Sequence, residues 1–128
     1  MCQDFGGVLP VEGARLMTVL ILEDNLLWSA RLKRTIEGLG HRALVASPLA
    51  AEIPQADAAI VNLSAAAPNL DVVVTALRER GIHVIGHAGH KEREVHESPA
   101  AALCDQVLTN SQATYKLEAA LALVDIRV

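Results

Sequence analysis

Aromatic residues are nearly missing from this chain: they make up 2% of its 128 residues, as one Trp, one Tyr and one Phe. Hydrophobic residues nevertheless reach 52%. The core must therefore be filled by Ala, Val, Leu and Ile, which suits helices packed closely on a buried sheet. Cysteine is equally scarce. Cys2 and Cys104 lie far apart, so neither a disulfide framework nor a thiolate metal site is suggested, and a reducing, cytoplasmic setting is expected. An excess of positive charge is lacking as well. The 11 Lys and Arg stand against 15 Asp and Glu, a net charge of -4, which gives no electrostatic reason to bind nucleic acid or an anionic membrane. No uncharged apolar run reaches the ~20 residues of a membrane helix, and the amino-terminal stretch lacks the basic-then-apolar order of a signal peptide. No Gly-rich phosphate loop follows the first apolar run, where the sequence reads Glu23-Asp24-Asn25, so a nucleotide-binding module finds no support.

What is present is enough length for one domain with a proper core, and too much apolar content for a disordered chain. Residues 1–16 mix Gly, Pro and charges without a period and are expected to form a flexible extension, with Met17 a candidate natural start. Beyond Met17, short aliphatic runs alternate with helical segments, the pattern of a parallel sheet with crossover helices on both faces. Strands are predicted over 18–22, 42–46, 58–63, 82–86 and 106–108. Asn25 caps a first helix in which Trp28, Leu32, Ile36 and Leu39 form one stripe and Gly40 ends the run. Between the second and third strands Pro48 and Pro54 limit any helix to about two turns. Helices are predicted over 71–80 and 112–126, the latter with Leu117, Leu121 and Val124 on one stripe. The segment 91–103 is ambiguous because Pro99 interrupts it.

In an open parallel sheet, ligands and chemistry gather beyond the carboxyl ends of the strands. There the sequence carries Glu23 and Asp24 in VLILEDN, Asn62 in AAIVNLS and Thr109 in DQVLTNS. On these residues the chain from Met17 to Val128 resembles the CheY-like receiver domains of two-component response regulators. The resemblance implies a three-layer, flavodoxin-like α/β fold: a doubly wound five-stranded parallel sheet of strand order 2-1-3-4-5, with a shortened second helix. It also implies a phosphorylation switch. An acidic pair holds Mg2+, an aspartate after the third strand takes a phosphoryl group from a histidine kinase, and a lysine and a hydroxyl clamp that group. The acidic pair survives as Glu23 and Asp24, but the acceptor position is Asn62, and an amide is not a usable nucleophile. The lysine position falls on Thr109, and IHVIGHAGH over 82–90 has no hydroxyl at all. Gln106 takes the place of an aromatic on the fifth strand. Asp57 precedes the third strand and Asp71 opens the third expected helix, so neither is placed to replace Asn62. VIGHAGH and CDQVLTNS further resemble a subgroup of stand-alone receiver-like proteins.

The reading is therefore a stand-alone, non-enzymatic pseudo-receiver that binds another protein: a histidine kinase, a response regulator, another signalling component or a second copy of itself. No nucleic acid or membrane is expected as a partner. The alternatives are a phosphorelay regulator that uses another acceptor, and a small-ligand or metal-binding flavodoxin-like module. Glu23 and Asp24, two carboxylates with a neutral amide beside them, make at most a weak Mg2+ site. His87 and His90 are a conceivable Zn2+ pair, against which stands the commoner explanation of scattered surface histidines. Trp28 is expected to pack in the first helix, and KEREVHE over 91–97 to form a solvated face.

Overall fold

The computed structural model describes residues 16–23, 25–46, 53–64, 69–89 and 91–126. Asp24, His90, Pro48 and the rest of 47–52, and the extension over 1–15 lie outside the described residues, so the expectations placed on them are untouched. Five strands, β1 (Thr18–Leu22), β2 (Arg42–Ala46), β3 (Ala58–Asn62), β4 (His83–Ala88) and β5 (Gln106–Thr109), form one all-parallel sheet in the order β2-β1-β3-β4-β5. The doubly wound architecture is as the alternation of apolar runs predicts.

Because side chains alternate along a strand, each central strand feeds two cores. Val19, Ile21, Ala58, Ile60 and Ile85 turn to one face, where α1 (Leu26–Gly38) and α6 (Leu117–Ala122) supply Leu32, Ile36, Leu117 and Leu121. Leu20, Leu22, Ala59, Val61 and Val84 turn to the other, against Val74 and Leu77 of α2 (Leu70–Glu79) and Ala100 and Ala101 of α4 (Pro99–Leu103). Full burial of each Leu or Ile contributes about 1.5–3 kcal/mol, so the aliphatic composition suffices without aromatics.

The first helix follows its predicted stripe. Leu32 and Ile36 are buried, while Trp28 and Leu39 pack against the same core from its margin. Asn25 caps it by accepting from the backbone N–H groups of Leu27 and Trp28 at 2.9 and 3.1 Å. At the other end Gly40 takes φ 92°, and the N–H groups of Gly40 and His41 return to the carbonyls of Glu37 and Ile36. This is the left-handed closure that glycine adopts without strain.

Several sequence expectations need correction. The fourth strand runs to Ala88 and not to Gly86, which brings His87 inside the sheet. The third ends at Asn62, and the fifth extends through Thr109. The single helix expected over 112–126 is broken. A short α5 (Asn110–Tyr115) starts early because Thr109 and Gln112 form a capping box, and Lys116, at φ -126°, separates it from α6 and a closing 3-10 turn at Leu123–Ile126. The ambiguous segment resolves into α3 (Arg93–His96) and α4, with Ser98 capping α4 and Pro99 in its first turn, where no N–H is needed. Residues 53–56 carry no regular structure. Among the described residues, no helix is long and apolar enough to cross a membrane.

Candidate functional site

Strand parity decides which side chains meet at the carboxyl edge of the sheet. Glu23 follows Val19 and Ile21 on one face, Asn62 follows Ala58 and Ile60, and His87 follows Ile85. In the β3–β4 register Asn62 lies directly opposite His87. All three therefore converge on the α1 and α5 side of the sheet.

Glu23 is 5% exposed, and both of its carboxylate oxygens are engaged. The Asn62 side-chain amide donates to Oε1 at 2.9 Å, and the backbone N–H of Asn25 donates to Oε2 at 3.0 Å. Asn62 turns its own oxygen the other way, to accept from the Ser64 N–H at 2.9 Å. The Ser64 hydroxyl then donates to Glu92 at 2.8 Å, and the same Glu92 oxygen accepts from the Gly89 N–H at 2.7 Å. These bonds hold the Glu92 carboxyl below its ordinary range and tie the segment after β3 to the segment after β4. Asn62 is thus the hub of a hydrogen-bonded network.

His87 is 1% exposed, which corrects the expectation of a scattered surface histidine. Its Nδ1 lies 2.8 Å from Asn110 Oδ1. With the Asn110 amide oxygen assigned to face it, Nδ1 acts as the donor in this contact. Nε2 has no hydrogen-bond partner among the described residues and stands 3.9 Å from Glu23 Oε1. Burial lowers the His87 pKa from its ordinary value, against the opposing influences of Asn110 and Glu23, and so favours the neutral imidazole. The Trp28 ring packs on the imidazole, centroids 5.3 Å apart and planes inclined at 41°, and the Arg31 guanidinium lies 5.3 Å from the Trp28 ring on its own account. Trp28 therefore packs, as expected, and does so against the site itself.

Thr109 spends its hydroxyl as the α5 cap, accepting from the Gln112 N–H at 3.1 Å. Gln106 donates to the Ala120 carbonyl at 2.9 Å and meets His83 Nε2 at 2.8 Å, so this β5 position ties the strand to α6 through polar contacts. Asp57 sits at the opposite, amino end of the sheet, accepting from the Thr18 N–H at 2.8 Å. Asp71 lies in the first turn of α2. Cys104 is half-buried with its thiol pKa pushed up to about 11, mainly by burial, which leaves it unreactive. Of the KEREVHE run, Lys91, Glu92, Arg93, Glu94 and Glu97 are exposed, as a solvated face requires.

The Mg2+ that the resemblance implies fits the described residues poorly. A hard cation needs several oxygen ligands. Among the described residues Glu23 offers one carboxylate, Asn62 presents N–H and not oxygen towards it, and His87 Nε2 stands 3.9 Å away. Among the described residues no group of three or more His, Cys, Asp and Glu is gathered to hold a metal ion.

Comparison with solved structures decides the fold. A CheY-like receiver domain from Methylobacillus flagellatus superposes with a TM-score of 0.71 at 24% identity, covering 86% of this chain and 99% of its own. The chain has the receiver fold. The receiver domain of a sensor histidine kinase from Pseudomonas aeruginosa, solved with magnesium coordinated in its active-site cleft, gives a TM-score of 0.73 at 16% identity and covers 88% and 100%. The Thermotoga maritima response regulator TrrA, solved with Mg2+ and BeF, gives 0.71 at 13% identity and covers 85% and 99%. No family model matches the sequence, and no curated protein matches it. On the receiver fold, the edge where Glu23, Asn62 and His87 meet is the carboxyl edge at which such sheets carry their chemistry. Sequence reasoning placed Glu23 and Asn62 there, with His87 on the same edge. It missed Asn110, and it took His87 for a residue beyond the strand.

Proposed function

We propose that this chain is a signalling domain of the two-component type that acts through protein contact, without phosphorylation and without catalysis. The observation that carries the reading is the Asn62 amide, which donates to Glu23 at 2.9 Å from the position where the resemblance calls for a nucleophilic carboxylate. An amide nitrogen has its lone pair delocalised into the carbonyl and cannot attack phosphorus. The amide also satisfies one oxygen of the buried Glu23 as a neutral hydrogen-bond donor. Mg2+ binding is then weak. A frame held in one state by internal hydrogen bonds suits a partner-binding role in the cytoplasm, towards a histidine kinase, a response regulator or a second copy.

The face of β5 and the last helices supports such a contact. A shallow groove of about 190 Å³ runs between Gln106 and Leu108 on β5 and Lys116, Ala119 and Leu123, with Leu123 exposed beside it. Sedimentation velocity of the full chain tests the reading. The same sedimentation coefficient is expected with and without acetyl phosphate and Mg2+, whereas assembly that depends on the phosphodonor contradicts it.

A further inference from the structure

The outer face of α1 combines bare leucines with positive charge. Leu26 and Leu27, each 82% exposed, open the helix, and Arg31, Lys33 and Arg34 stand exposed along it against Glu37 alone. Residues three and four apart share a helix face, so Leu27, Arg31 and Arg34 form one outward ridge. Among the described helices only α1 carries an excess of positive charge, in a chain whose net charge is -4. Lys33 and Arg34 have no ion-pair partner among the described residues, although Glu37 follows both on the same helix. Arg31 is held against Trp28, its guanidinium 5.3 Å from the ring, so it loses less freedom when a carboxylate engages it.

This pattern selects its occupant. A second copy in a two-fold contact would set the positive face against itself. Duplex nucleic acid gives the leucines little apolar surface to cover them, and its phosphates would meet a chain of net charge -4. A protein helix with an apolar stripe and acidic flanks answers both the leucines and the cations, and a ridge of residues three and four apart packs into the groove of another helix. We propose that α1 docks an acidic amphipathic helix of another protein, whose apolar stripe covers Leu26 and Leu27 and whose carboxylates face Arg31, Lys33 and Arg34. The first turn of α1 joins this surface to the carboxyl edge. Asn25, which caps Leu27 and Trp28, donates its N–H to Glu23, and Trp28 packs on His87. The inference rests on the reading that the chain acts through protein contact, and it assigns a contact to residues that the β5 groove does not share.

Fluorescence anisotropy of a labelled helical peptide, one stripe of Leu flanked by Glu, tests this on the full chain without a phosphodonor. Binding is expected to saturate, to weaken as salt is added, and to be at least about tenfold tighter than that of the same peptide with Lys in place of Glu. Lys33→Glu combined with Arg34→Glu should weaken it about tenfold or more, and Leu27→Ser should weaken it similarly. Lys116→Glu, in the β5 groove, should leave it unchanged. If a variant fails to fold, amide shifts of the native chain decide: the peptide should move residues 26–34 and leave 116–123 in place. Absence of saturable binding, equal binding of the Lys peptide, or binding unaltered by the α1 substitutions overturns the proposal, as does tighter binding of duplex DNA or phosphatidylserine vesicles. Loss of binding in Lys116→Glu alone overturns the α1 assignment and leaves the reading of protein contact standing, whereas a requirement for acetyl phosphate overturns that reading.

Discussion

Asn62→Asp is expected to destabilise the chain by about 1.5–3 kcal/mol at neutral pH, the range for loss of a hydrogen bond to a charged group, with like-charge repulsion added. The substitution removes the amide donor at 2.9 Å from Glu23 Oε1 and puts a second carboxylate in its place. Of two carboxylates in contact, the second to ionise has its pKa raised. A group whose folded-state pKa lies above its unfolded value takes up its proton first in the folded state. The penalty is therefore present in full at neutral pH and shrinks as pH falls through that raised pKa. Added Mg2+ should restore stability to the variant, by about 2.7 kcal/mol at a hundredfold excess over Kd, and should do much less for the native chain. Urea unfolding of both forms with and without Mg2+ measures this. A variant as stable as the native chain, or rescued no better than it, contradicts the assignment of Asn62 as a neutral hydrogen-bond donor to Glu23.

Gly86→Ala should destabilise by about 1–3 kcal/mol, the range for overpacking a filled core. A Cβ at Gly86 lies 2.8 Å from Leu63 Cδ1 and 2.9 Å from Cys104 Sγ, both closer than real contacts allow. Leu63 is buried in the second core, and Cys104 is held by its Sγ–H donation to the Ala100 carbonyl at 3.3 Å. The strain should reach the site, since His87 is the next residue. Adding Cys104→Ala removes one of the two clashes. The double variant should lose less than the sum of the single losses, and strict additivity in denaturant unfolding would show that the close approach does not govern this position.

The frame was legible in the chain because aliphatic runs, caps and helix stripes agree with one another from Thr18 to Leu121. The edge of the site was less so, for one local reason. His87 is polar, and a polar residue after VIG reads as a turn, which ends β4 early at Gly86. Carried through to Ala88, the same two-residue period that pairs Val19 with Ile21 and Ala58 with Ile60 would have put Glu23, Asn62 and His87 on one face. Thr109 is a similar lesson. The Thr-x-x-Gln spacing from Thr109 to Gln112 is the signature of a capping box, which commits the hydroxyl to the helix start. The break at Lys116 leaves no signal in residue type, since the stripe of Leu117, Leu121 and Val124 continues past it. Asn110 could not have been found from spacing, because its role depends on the rotation of α5 over the end of β4.

Intact-mass analysis of the full chain after incubation with acetyl phosphate and Mg2+, beside Asn62→Asp under the same conditions, tests the central claim most directly. The account predicts an unchanged mass for the native chain and a gain of one phosphoryl group by the variant. A phosphoryl group on the native chain would contradict it and place the acceptor at a residue other than Asn62.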